Sequence, residues 1–139
     1  MGLDCYAVLP VPGYKTGDEI PPEIYLEDPP EEWFKDVRGS CREGLSTASF
    51  MASDFRGRDY HDFIKHITGV SVCQTYIDPE TVARMADALE KFAEHLSPDM
   101  PEEEIVFVGD MAVTAGEAQQ LARFFAVCKK HGLALHANW

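Results

Sequence analysis

The stretch Ser53-Asp54-Phe55-Arg56-Gly57-Arg58-Asp59-Tyr60 places two guanidinium groups on either side of a glycine, just ahead of a helical pattern. A helix start offers unpaired N–H groups and partial positive charge, and arginine forks match the oxygens of phosphate or carboxylate. Arg42, Ser53, Arg56, Gly57, Arg58, Tyr60 and His61 are therefore the candidate ligand-binding residues, for an anionic small molecule such as a nucleotide or other phosphate. His61 is the candidate acid or base if that site performs hydrolysis or group transfer. The competing readings need no ligand: Asp54 or Asp59 occupies the helix-start donors, and the arginines pair with nearby acids.

Other reactive residues carry less. Gly44-Leu45-Ser46-Thr47-Ala48 is one residue short of the hydrolase elbow G-x-S-x-G, and it lacks the strand before and helix after that the elbow requires. His61 and His66 stand five apart, so they do not share a helical face. His95, His131 and His136 belong to other segments, none with a cysteine at metal-ligand spacing, and no zinc or other resident cofactor is expected. Eight carboxylates between Asp18 and Asp36 and four between Asp99 and Glu104 match no EF-hand loop. Weak calcium binding is the chemistry such clusters would support, and a solvated acidic surface is the plain alternative.

The charge separates these readings. The 139 residues hold 12 basic and 24 acidic side chains, a net charge of −12. Nine acids and two bases give residues 1–37 a balance of −7, and eleven acids and five bases give residues 67–139 a balance of −6. Residues 38–66, with five bases and four acids, stand at +1 and form the one region that does not repel an anion. So acidic a chain disfavours nucleic acid and anionic membrane, whereas an acidic face attracts and steers a basic protein partner.

The elements that must position these residues are set by periodicity and punctuation. Residues 3–11 read as a strand, at a sheet edge if Pro10 lies within it. Residues 12–32 are an acidic, proline-rich loop. Asp28-Pro29-Pro30-Glu31-Glu32 opens a short helix that carries Trp33, Phe34 and Val37 inward. Residues 38–58 have no period and read as an Arg/Gly/Ser loop anchored by Phe50, Met51 and Phe55. A helix starts at Asp59 with Tyr60, Phe63, Ile64 and Ile67 on one face and ends at Gly69. Residues 70–77 are a short strand or an extended connection.

Asp78 and Pro79 then start the clearest helix, with Val82, Met85, Ala86, Leu89, Phe92, Ala93 and Leu96 at helical spacing up to Ser97-Pro98. Residues 104–108 read as a strand and Gly109-Asp110 as a turn. Thr114-Ala115-Gly116-Glu117 is a capping box. The helix behind it buries Ala118, Leu121, Ala122, Phe125 and Cys128, carries Lys129, Lys130 and His131 in its last turn, and stops at Gly132. Residues 133–139 are a final strand, and Trp33 and Trp139 are read as core.

This order lacks a regular βαβ rhythm. It predicts the α+β class: one compact domain over 1–139, with a small mixed or antiparallel sheet against about three main helices. No secretory signal, myristoylation pattern or membrane span is read, and Cys5, Cys41, Cys73 and Cys128 are expected to be reduced and buried, so the cytosol is the expected compartment.

Phe55-Arg56-Gly57-Arg58-Asp59-Tyr60, then Thr68-Gly69-Val70-Ser71, resembles an F-R-G-[KR]-x-Y … T-G-x-S signature of small bacterial proteins with no assigned activity. Ile77-Asp78-Pro79-Glu80-Thr81-Val82 and the segment from Phe124 through Leu135 to Trp139 are similar to later segments of those proteins. The likeness covers residues 50–96 and 121–139. Asp54 between Ser53 and Phe55 departs from the pattern, as does Arg42-Glu43-Gly44-Leu45-Ser46 where a glycine-rich stretch is expected. The resemblance singles out the loop and implies no particular chemistry.

Three functions are thus expected, in this order. The first is a non-enzymatic binding or regulatory protein that meets a basic protein partner. The second is a binding protein or enzyme for an anionic small molecule, built on Arg56 and Arg58. The third is a calcium binder without an EF-hand.

Overall fold

A computed structural model describes residues 4–21 and 54–138, with the backbone alone at residues 4 and 54–59. The expected helix behind Asp28, and Arg42, Ser46, Ser53, Cys41, Trp33 and Trp139, lie outside those residues. Within them the chain runs β1 (Asp4–Val8), β2 (Asp54–Arg56), α1 (Gly57–Thr68), α2 (Pro79–Glu94), β3 (Ile105–Val108), β4 (Met111–Thr114), α3 (Ala115–Lys130) and β5 (Ala134–Asn138). Three helices and two small antiparallel sheets define the α+β class.

The helices form where their ends are chemically closed. Asp78 accepts from the Thr81 N–H at 3.0 Å and from its hydroxyl at 2.8 Å, and Pro79 occupies a first-turn position where its missing N–H costs nothing. Burial acts to raise the Asp78 carboxyl pKa, but the hydrogen bonds from Thr81 and the nearby Arg84 outweigh it and hold it below its ordinary value. Val82, Met85, Ala86 and Leu89 make the buried stripe of α2. That stripe faces Ala118, Leu121, Ala122, Phe125 and Cys128 of α3, and the two helices share the most extensive contact among the described elements. Lys129 donates to Asp87 across the rim of this interface.

The first sheet has the order β2-β1-β5, with Cys5 opposite Phe55 on one side and Ala137 on the other. The condition for an edge placement is not met: the strand, read over 3–11, runs only from Asp4 to Val8, leaves Pro10 outside the ladder and takes the central position. Cys5, Ala7, Leu135 and Ala137 face the helices, while Val8 and Ala134 meet Tyr6, Val11, Ile20 and Tyr76 on the opposite face. Burial on both faces is why β5 shows no alternation. Residues 70–77 are an extended connection with one strand-like contact, Ile77 bridging Leu135.

Two differences from expectation touch the site. The loop read over 38–58 does not extend to its end: residues 54–56 pair with β1 as β2, and α1 starts at Gly57, two residues ahead of Asp59. Three residues are too few to show a strand period. The turn at Gly109 (φ +60°) and Asp110 returns directly into β4, a strand without a visible period in the sequence. A positive φ at the first position of a two-residue turn suits the twist of a β-hairpin and favours glycine. The hairpin turns Val106, Val108, Met111 and Val113 to the core.

Candidate functional site

The backbone places Arg56 at the end of β2 and Arg58 in the first turn of α1, with Gly57 between them. The next candidate, Tyr60, is 2% exposed and its hydroxyl donates to Glu117 Oε2 at 2.6 Å. Tyr60 therefore locks α1 to the start of α3 and does not offer its hydroxyl at a surface. The Glu117 carboxylate also accepts from the Thr114 N–H at 2.9 Å, while Thr114 Oγ1 accepts from the Glu117 N–H at 3.1 Å.

The remaining first-turn donors of α3 are also occupied. The Ala115 N–H donates to the Glu104 carbonyl at 2.8 Å and the Gly116 N–H to the Glu102 carbonyl at 2.9 Å. A Cβ on Gly116 would stand 3.1 Å from the Glu102 Cβ, so glycine allows the acidic segment this close. The first turn of α3 is spent on anchoring that segment and is not a vacant anion cradle.

His61 lies one helical position further along α1. Its Nε2 is 2.7 Å from Ser71 Oγ and its Nδ1 is 3.0 Å from Asp62 Oδ1. In the neutral imidazole, an Asp62 carboxylate that only accepts selects the tautomer with the proton on Nδ1, in which Nε2 accepts and the Ser71 hydroxyl donates. Ser71 is placed by the end of α1. The Gly69 N–H donates to the Lys65 carbonyl, Thr68 Oγ1 caps the Ile64 carbonyl at 2.7 Å, and the chain doubles back beside the helix. The Cys73 N–H donates to Ser71 Oγ at 3.1 Å and Gln74 Nε2 to the Ser71 carbonyl at 2.7 Å. The two halves of the F-R-G-R-D-Y … T-G-V-S pattern thus meet in space, through a histidine just past the first and the serine that ends the second.

The cysteines divide. Cys5 and Cys128 are buried, and burial pushes the Cys128 thiol far above its ordinary pKa, whereas Cys73 is exposed, contrary to the expectation that the thiols are buried. Brief treatment of the folded protein with iodoacetamide is expected to alkylate Cys73 and spare Cys5 and Cys128 until denaturant is added. Peptide mass mapping checks this.

A second surface lies beyond the sequence-based candidates. On the hairpin's outer face, Phe107 is 74% exposed and Ile105 57% exposed, with exposed Ala112 opposite Phe107. Glu102, Glu103 and Glu104 precede β3, Asp99 precedes them, and Asp110 sits in the turn, all exposed. The sequence does hold a signal for it: Ile105 and Phe107 alternate with Val106 and Val108, so a hairpin must turn one apolar pair outward. The groove between α2 and α3, about 400 Å³ and lined by Ala93, Ala122, Ala126, Glu90, Glu94 and Arg123, mixes both charge signs and selects no anion.

Among the described residues no cluster of three His, Cys, Asp or Glu side chains is placed to hold a metal ion, and no helix is long and apolar enough to cross a membrane. Compared with known proteins, the chain matches no family model, no curated protein and no solved structure.

Proposed function

We propose that the protein is a binding module whose β3 edge takes up an extended, basic segment of a partner protein. The carrying observation is the exposed pair Ile105 and Phe107 on a strand flanked by carboxylates. With a two-residue turn, Val108–Met111 and Val106–Val113 are the hydrogen-bonded pairs, so the N–H and C=O groups of Ile105 and Phe107 point away from β4. The hairpin's stronger contacts to α1 and α3 run through β4, and among the described residues β3 pairs with β4 alone, which makes it the outer strand. An unpaired edge with apolar side chains is the template for strand addition, where backbone bonds supply affinity and side chains supply specificity. Asp99 and Glu102 to Glu104 at one end of β3, with Asp110 at the other, favour a partner strand that carries lysine or arginine among its apolar residues.

The test is a titration of ¹⁵N-labelled protein with a capped hexapeptide alternating lysine and valine, beside its glutamate–valine counterpart. Amide shifts are expected at Ile105 to Val108 with the lysine peptide alone, weakening as salt rises. Phe107→Ala should weaken the binding about tenfold, the scale of a modest aromatic anchor, while moving thermal stability by less than about 0.5 kcal/mol. Shifts scattered elsewhere, or equal response to the glutamate peptide, would reject the reading.

A further inference from the structure

Beyond partner binding, we infer that Ser71 is a nucleophile activated by His61, giving the protein an acyl-transfer activity toward small activated esters. Three groups stand in the order such chemistry needs: a hydroxyl, a base 2.7 Å from it, and a carboxylate 3.0 Å from the base's other nitrogen. The carboxylate fixes the tautomer that leaves Nε2 free to take a proton, and it stabilises the imidazolium that forms. His61 is about a quarter exposed and Asp62 lies in the open (side chains 27% and 81%), so a small substrate reaches the serine from solvent. The Cys73 N–H holds Oγ in place through one lone pair.

In the first step Ser71 Oγ bonds to the ester carbonyl carbon, its proton passes to His61 Nε2, and the alkoxide leaves with that proton. In the second step water, deprotonated by Nε2, attacks the acyl-serine carbonyl, and the released Ser71 oxygen takes the proton back. No oxidant, metal or further reactant enters. With Asp62 so exposed it acts as a positioning residue of modest weight, and the larger share rests on His61.

The experiment uses the full chain carrying Cys73→Ala, because that exposed thiol is a competing nucleophile whose replacement keeps the backbone N–H. Incubation with p-nitrophenyl acetate should release p-nitrophenol in a burst and leave an acetyl group on the peptide containing Ser71. Ser71→Ala should abolish that label, His61→Gln should slow it on the order of 100-fold, and Asp62→Asn should slow it less, each with an unchanged unfolding midpoint. Acetylation that maps to any other residue, or a His61→Gln protein that labels Ser71 at the original rate, overturns the assignment. Mapping on the Ser71-containing protein needs no variant at the site, so the outcome stands even if a substitution there impairs folding. The lysine–valine hexapeptide, added at saturating concentration, should leave the labelling of Ser71 unchanged, which separates this activity from partner binding.

Discussion

Phe124→Ala is expected to destabilise the protein by about 3–5 kcal/mol, a loss that one buried aromatic side chain can account for. The ring is fully buried on α3 and stands edge-on to Phe125 with centroids 5.9 Å apart. Truncation removes the transfer free energy of the ring and leaves a cavity that its neighbours fill only in part. Against the roughly 5–15 kcal/mol that holds a typical domain together, that is a large fraction. Urea unfolding should show the loss as a lower midpoint with an unchanged slope. Phe107→Ala provides the contrast, because a ring 74% exposed contributes little to folding. Together the two changes separate a ring that holds the fold from one that does not.

Glu117→Ala should be the next most damaging change, at about 2–3 kcal/mol. One carboxylate accepts both the Thr114 N–H and the Tyr60 hydroxyl, the latter 57 positions away in sequence. Alanine recovers a few tenths of a kcal/mol in helix propensity but supplies neither acceptor. The Tyr60 phenol, almost wholly buried, loses a charge-assisted bond that water cannot readily replace. Thr114→Ala removes only the hydroxyl half of the box and should cost about 1 kcal/mol. A double-mutant cycle with Tyr60→Phe and Glu117→Gln should return a coupling of about 1–2 kcal/mol, measured by thermal or urea unfolding. Because Glu117 joins α1 to the start of α3, its loss should also loosen the hairpin segment anchored there, visible as faster amide exchange at Ala115 and Gly116.

Much of the helical frame is legible in the sequence because its punctuation is local. Asp78-Pro79 and Thr114-x-x-Glu117 announce helix starts within four residues, and the stripes behind them repeat often enough to reveal their period. The pieces that escape are those without local signatures. The three residues of β2 show no alternation, and β4 is a Met-Ala-Val-Thr run with one fully inward side chain. The central position of β1 depends on partners far along the chain, β2 at Asp54–Arg56 and β5 at Ala134–Asn138. The site divides in the same way. His61 stands out by its position behind the arginines, and Ser71 by its place in a motif, but a contact ten residues apart across a helix end has no periodic trace. Tyr60 points to a ligand in sequence and to Glu117 in space, since nothing about an aromatic at a helix start reveals a carboxylate on another element.

The three-stranded sheet also governs when folding can finish. β1 pairs with β2 and, much further along the chain, with β5, so Asp4 ends opposite Asn138. A ribosome delivers β1 well before β5 and leaves it without that backbone partner until β5 emerges. The α2–α3 pair, joined by a short hairpin, can assemble earlier from contacts closer in sequence. Closing the β1–β5 pair must then overcome the entropy of a loop that spans nearly all of the described residues, which places it late and makes it slow. During that interval the exposed backbone of β1 is the nascent chain's main opportunity for wrong pairing, and an early association with a chaperone would act there.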